Sequence, residues 1–524
     1  MRIVTRMLFL TLVTMPATAM GQAFREVKLD VENGVTEYSL TVTPMTPTQP
    51  LLTHRLDMPE YEKVPGNAAL LYAQGAAELR RQKNQAIEEV VRSQEYREYM
   101  TEHPDAKLMG NSDQPGNREL NRMLLKRFPM QNSQGLPSYL PWNICEEILA
   151  GLPPETFDQL YESRLQNAWR NVQRASRMRD CDWTVLAPIG QEVLSIPGIW
   201  NMVNIQRFLA ERAEWLMRRG RTEEVIETIR ISSAVVEHTR DVTGTYGLGA
   251  AVWACILQEF TQESLVKLIG QSGTPNLYWE CRQLSMRAVR MDRAFDGEVL
   301  SFCGIQPEQV ARLRLPDMPT LEELRQLADM LIMSYAVDSG PNTKKPDHEK
   351  AWAEIVATCM PPARQRLLNR GMTPQEVDSL DSYRVVVPYL FEKLVEICDT
   401  GLAMYEPEPS GMDITDVVPK PVADEGVAIL GIANFVEQVT LPKIARERCG
   451  RANFDGFVVV EALRWYAAEH NGKLPDSLDQ LTVPVPRNIA VGEPFDYTLE
   501  GTVGVLTVRT KADRTYVYRI TVEK

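Results

Sequence analysis

The chain is poor in the residues that most chemistry needs. Its 524 residues include five histidines, His54, His103, His238, His348 and His470, and none stands at metal-ligand spacing from a cysteine. A structural zinc needs such ligands to converge, so no metal site is expected. The eight cysteines, Cys145, Cys181, Cys255, Cys281, Cys303, Cys359, Cys398 and Cys449, contain no C-x-x-C pair. Their wide spacing leaves any disulfide connectivity unreadable. Past the first residues, no apolar run approaches the ~20 residues of a spanning helix, and no transmembrane segment is expected after signal removal. Basic charge is also short: 57 Lys and Arg face 70 Asp and Glu, a net charge of -13. A nucleic-acid binder carries a basic footprint, so nucleic acid is not an expected partner.

Catalytic motifs are missing as well. Asp347-His348-Glu349 runs into Lys350-Ala351-Trp352, so it is no H-E-x-x-H. No phosphate-binding G-x-x-x-x-G-K-[ST] and no G-x-S-x-G elbow occurs, and Gly244, Gly247 and Gly249 suit helix packing rather than a dinucleotide turn. Ser264-Leu265-Val266-Lys267 has the letters of S-x-x-K but no K-T-G or S-D-N companion, and Leu265 fits an apolar stripe. Glu469-His470 offers an acid-base pair. It stands at a helix end, where the dipole favours a cation, and capping explains it better. Glu146-Glu147 and the acids Glu406, Glu408, Asp413 and Asp416 lack the D-x-[DN]-x-[DN]-G loop that gathers calcium ligands. Cys181-Asp182-Trp183 closes the basic stretch ASRMRDCDW. Nearby arginines can activate a thiol; the plainer reading is a cysteine and tryptophan anchoring a helix end. Cys255 and Cys398 lie on apolar helical stripes, as small buried hydrophobes do. No residue is assigned a catalytic, cofactor-binding or metal-binding role, and no cofactor is expected.

What is present is architecture. Residues 1–23 read as a signal peptide, with Arg2 and Arg6 before the apolar Met7–Met15 and small residues at Ala17 and Ala19. Its removal takes away two arginines and no acid, moving the charge from -13 to -15. Residues 24–50 read as a β-hairpin around Asn33-Gly34, followed by a Pro/Thr-rich connector. A lone two-stranded ribbon is marginal, so the hairpin is expected to dock elsewhere. Residues 51–404 read as a helical domain. Phe157, Leu160, Tyr161, Leu165, Ala168, Trp169, Val172 and Ala175 predict one long amphipathic helix. A tetratricopeptide-like pair is predicted over 202–238, breaking at Gly220 and capped by Thr222. No 34-residue repeat follows, so the pattern predicts an irregular α-solenoid or helical bundle.

Residues 405–425 form an acidic, proline-rich linker. Residues 426–524 predict helices over 427–445 and around Phe457–Ala467, the latter ended by Asn471-Gly472 and Pro475. Three strands follow as an antiparallel meander. The fold class is mainly α, with an N-terminal β-hairpin and a small C-terminal α+β unit.

The phrases PGNAALLYAQ, ASRMRDCDW, RGRTEEVIETIR, TPNLYWE and EALRWYAAEHNGKLPDSLDQL together resemble a family of uncharacterised, secreted, mainly helical proteins from planctomycete-type bacteria. That resemblance implies no activity and no site residue. Residues from Glu461 to about Leu499 are also similar to the globular end of type II secretion pseudopilins, through Leu463, Tyr466, Gly472 and Pro475. The long polymerising helix of pseudopilins has no counterpart in the sequence pattern.

The expected function is a secreted or periplasmic helical scaffold that binds other envelope or secreted proteins, in keeping with the surfaces of stacked helices. The alternatives are an enzyme or ligand-binding protein with a site assembled from distant residues, and a component associated with a secretion apparatus.

Overall fold

The computed structural model describes residues 27–32, 35–49, 51–106, 115–127, 154–186, 199–240, 247–288, 319–337, 348–403, 441–510 and 514–523. The expected signal peptide, the acidic linker 405–425 and the Glu146-Glu147 pair lie outside these residues.

The chain is mainly α-helical. It opens with strands β1 (Lys28–Glu32) and β2 (Val35–Val42), then β3 (Val64–Asn67) leading directly into α1 (Ala68–Arg92). The Asn67 side chain caps α1 by accepting from the Ala69 N–H. Helices α2 (Gln94–Glu102), α3 (Pro115–Arg127) and α4 (Pro154–Gln159) follow. A π-helical turn (Leu160–Arg164) then precedes α5 (Gln166–Ser176) and β4 (Met178–Asp180). Helices α6 (Ile199–Arg218), α7 (Thr222–Arg240), α8 (Gly247–Ile269) and α9 (Tyr278–Arg287) form the centre. Helices α10 (Leu321–Val337), α11 (His348–Asn369), α12 (Pro374–Asp378) and α13 (Ser382–Ala403) come next. Helix α14 (Leu441–Glu469) leads into strands β5 (Asp496–Glu500), β6 (Val503–Arg509) and β7 (Thr515–Val522).

Three expectations are corrected. The stripe from Phe157 to Ala175 is not one helix, because the π-helical turn separates α4 from α5. The stripe still buries Leu160, Tyr161, Leu165, Ala168, Val172 and Ala175; the turn rephases the helix without turning it from the core. Thr222 is the first helical residue rather than the residue before it. Arg221 occupies the cap position, and its carbonyl accepts from the Glu224 and Val225 N–H groups. Residues 441–445 are continuous with the helix through Phe457, so α14 is one helix there, while 427–440 fall outside the described residues.

The two ends of the chain build one sheet of order β1-β2-β7-β6-β5. Strand β2 runs parallel to β7, from Val35 opposite Thr515 to Val42 opposite Val522. The ribbon expected to dock elsewhere therefore docks on the meander. Leu40, Val42, Leu506, Val508, Tyr518 and Ile520 are buried, alternating with residues that are not, as a half-solvated sheet requires. On the alternate positions, Arg519 pairs with Glu37 at 2.8 Å and Glu500 at 3.1 Å, linking β2, β7 and β5. Helix α14 packs beneath. Gly456 permits the close approach, since a Cβ there would lie 2.9 Å from Val508 Cγ2.

Arg464, on α14, ties three distant stretches together. It donates to the Thr43 carbonyl at 3.1 Å, the Thr274 carbonyl at 2.8 Å and Glu461 at 2.7 Å. Glu461 accepts from the Leu277 N–H at 3.1 Å, and Asn276 donates to the Glu461 carbonyl. Both charged side chains are fully buried, so these bonds replace their water.

A second, separate cluster joins α10, α11 and α13 through Leu324, Ala328, Trp352, Cys359 and Val386. Trp352 stacks on Tyr383 at 4.3 Å.

Candidate functional site

Each described residue weighed for chemistry has a structural position. The Ser264 hydroxyl donates to the Phe260 carbonyl at 3.0 Å on its own helix, and Lys267 is held by Glu214 at 3.1 Å and Glu263 at 3.0 Å. Neither activates the other. His470 stacks on Tyr466 with ring centroids 3.7 Å apart, its Nδ1 2.8 Å from the Tyr466 carbonyl. Glu469 accepts from Trp465 Nε1 at 2.7 Å. Asn471 at φ 55 and Gly472 at φ 77 then turn the chain out of the helix. Cys181 is a free thiol. Burial and then Asp182 raise its pKa, opposite to what a reactive thiolate needs. Among the described residues no group of three His, Cys, Asp or Glu is placed to hold a metal, and no helix is long and apolar enough to cross a membrane.

His238, which no sequence motif singles out, sits at the centre of a buried joint. Its Nε2 is 2.9 Å from the Met178 carbonyl and its Nδ1 2.9 Å from the Tyr72 hydroxyl. A carbonyl only accepts, so in the neutral ring Nε2 carries the proton and Nδ1 accepts from Tyr72. Around it β3 and β4 pair in parallel. Asn67 donates to the Asp182 carbonyl and accepts from the Asp182 N–H, both at 2.9 Å. Trp183 stacks on Tyr72. Gly66, at φ +147, lies against Met178, whose Sδ would be 2.4 Å from a Cβ.

This joint carries an apolar corner on its surface. Val64 in β3, Leu70 in the first turn of α1 and Val185 in the 3-10 turn Trp183–Leu186 are 46%, 49% and 51% exposed. Tyr61, three residues before Val64, is 78% exposed. The strands pair with each other, and the 3-10 turn packs on α1. Large apolar side chains on contiguous elements differ from singly scattered ones.

A cleft of about 210 Å³ lies beside a strap, residues 54–63, that is irregular apart from a 3-10 turn over Glu60–Glu62. Leu56 and Met58 anchor the strap in the core. Charged pairs hold it along its length. Asp57 meets Arg287 at 2.8 Å and Gln283 at 3.0 Å, Glu62 meets Arg230 at 3.1 Å, and Lys63 meets Glu237 at 3.1 Å and Glu60 at 2.8 Å. The hydrogen bond from Lys63 holds the Glu60 pKa below the usual carboxylate range. The cleft lies between the strap and helices α7, α8 and α9, with Phe454 of α14 beneath. Sequence reasoning missed it because the strap has no periodicity. Its one signal is the short alternation of Leu56 and Met58 with Arg55 and Asp57.

Behind the cleft residue Thr261 is a buried polar knot. Gln206 Nε2 donates to the carbonyls of Ser232 and Leu257, both at 3.1 Å, and Ser232 donates to Gln206 Oε1 at 3.0 Å. Ser232 and Thr261 hydroxyls meet at 2.7 Å. The knot fixes α6, α7 and α8 and with them the cleft wall.

Comparison with family models, with curated proteins and with solved structures finds no match for this chain.

Proposed function

We propose that the chain is a helical scaffold that works by holding another protein, in the periplasm or outside the cell. Its partners are other envelope or secreted proteins. The observation that carries this reading is the apolar corner formed by Tyr61, Val64, Leu70 and Val185 over a rigid buried joint. Protein-protein contacts favour apolar and aromatic anchors on preformed surfaces. The structural roles of Ser264, Lys267, Cys181, Glu469 and His470 favour it over an enzyme reading. Two of the phrases behind the family resemblance, PGNAALLYAQ and ASRMRDCDW, meet at this joint, and two others, TPNLYWE and EALRW, meet at Arg464.

A photo-crosslinking residue in place of Leu70 or Val185, in cells that make the protein, tests the reading. Both positions are expected to give one discrete adduct with the same protein, which Val64→Glu removes. The same residue at exposed Asn84, further along α1, is expected to give none. Absence of an adduct at both corner positions, or equal labelling at Asn84, would sink the idea.

A further inference from the structure

We infer that the strap-walled cleft binds a small zwitterion, an amino acid with an apolar side chain, a site beyond the protein-binding corner. The charge of the lining comes first. Asp57, Glu60 and Glu237 face Arg240 and Arg287, and Lys63 bridges Glu60 and Glu237 from behind. Acids and bases balance, so a ligand of net charge would bring an uncompensated charge into a partly dry site. A dipolar one would not.

Both signs are also available. Arg287 uses Nη1 on Asp57 at 2.8 Å, and its charge also reaches Glu60. Its planar fork carries further donors for a carboxylate. Glu237 accepts from Lys63 through Oε1, and Arg240 approaches the same oxygen at 3.9 Å, so Oε2 remains for an ammonium. Arg240 also donates to the Arg287 carbonyl at 3.2 Å, which ties together the C-terminal ends of α7 and α9, where Glu237 and Arg287 stand.

Between them Met58, Val236, Leu284 and Phe454 give an apolar floor. The 210 Å³ volume is below the roughly 300–1,000 Å³ of sites for drug-sized ligands and suits a single residue. Free amino acids and the smallest dipeptides share this chemistry.

Calorimetry on the purified chain tests the site with L-leucine, L-leucinamide, 4-methylpentanoate, L-serine and Leu-Gly. L-Leucine is expected to bind. Leucinamide, which lacks the carboxylate, and 4-methylpentanoate, which lacks the ammonium, are each expected to bind at least about tenfold more weakly, as expected when a charged hydrogen bond is lost. L-Serine should also be weaker. Arg287→Gln is expected to erase the preference for leucine over leucinamide, and Glu237→Gln the preference over 4-methylpentanoate. Arg287→Lys keeps the charge beside Asp57 and should retain part of the preference, which separates recognition from misfolding. If Leu-Gly binds as tightly as leucine, the site takes a dipeptide of the same class. Binding of the singly charged analogues as tightly as leucine, or no binding to the folded wild-type chain, overturns the inference. Neither result touches the crosslinking test of the corner.

Discussion

Arg464 and Asp455 lie two to three turns apart on one helix and answer burial in opposite ways. Arg464 finds carbonyls and Glu461 around it, so its charge is compensated. Replacing it with leucine leaves Glu461 and the Thr43 and Thr274 carbonyls buried without their donor. A loss of about 3–5 kcal/mol is expected, seen as a lower denaturant midpoint in chemical unfolding. Asp455 accepts a hydrogen bond from Ser285. Burial outweighs that bond and raises its pKa from 3.8 to about 6. The folded state then holds a proton that the unfolded chain releases. Stability from this group is full below pH 4 and is lost as pH rises through about 6. Asp455→Asn is expected to flatten that slope and to raise stability at pH 7–8 by up to about 3 kcal/mol, measurable as a Tm difference that vanishes near pH 4.

At the scale of elements, the helices were legible because their apolar residues recur on one face. Gly220 and Asn471-Gly472 marked real stops, with Gly220 at φ 65. The hairpin was legible from alternation about Asn33-Gly34, and its strands end at Glu32 and Val35. What stayed hidden depends on partners. The parallel pairing of β2 with β7 leaves no local mark, because either strand alternates equally well beside any neighbour. The strap was hidden because ion pairs to α7 and α9 define it rather than its own pattern. The π-helical turn was hidden because it conserves the buried stripe. Gly456 has no signal in the local pattern, yet it permits the close approach of α14 to the sheet. Gly456→Val is expected to cost about 1–3 kcal/mol through overpacking, whereas a valine at solvent-facing Gly501 would test backbone strain alone, since a Cβ there meets nothing within 4 Å. Thermal unfolding of the two variants separates these causes.

For the whole molecule, the sheet makes the two ends one cooperative unit. Leu40 packs near Gly270 and lies in the sheet with Tyr518 and Ile520. Leu40→Ala is expected to cost about 2–5 kcal/mol. It should also lower amide-exchange protection along Thr515–Val522, although no residue there has changed. Loss of protection confined to β1 and β2 would mean that the hairpin opens independently. The strap gives a second global expectation. Two of its ion pairs have an exposed partner, Glu60 and Arg287, and such pairs weaken as the screening length falls, so added salt should increase proteolytic cutting between residues 54 and 63 more than in α1.

The bond from Thr43 to Glu523 spans 480 positions, beside the parallel strands it closes. At about 5–20 residues per second, synthesis separates the two strands by roughly 25–95 s. For that interval β2 is paired with β1 on one edge, and its other hydrogen-bonding edge is open. Nascent chains of this protein therefore have a window in which another strand can take the vacancy. A chaperone that covers residues 35–42 during that window, and leaves when 515–522 arrives, would raise the yield of correctly closed molecules.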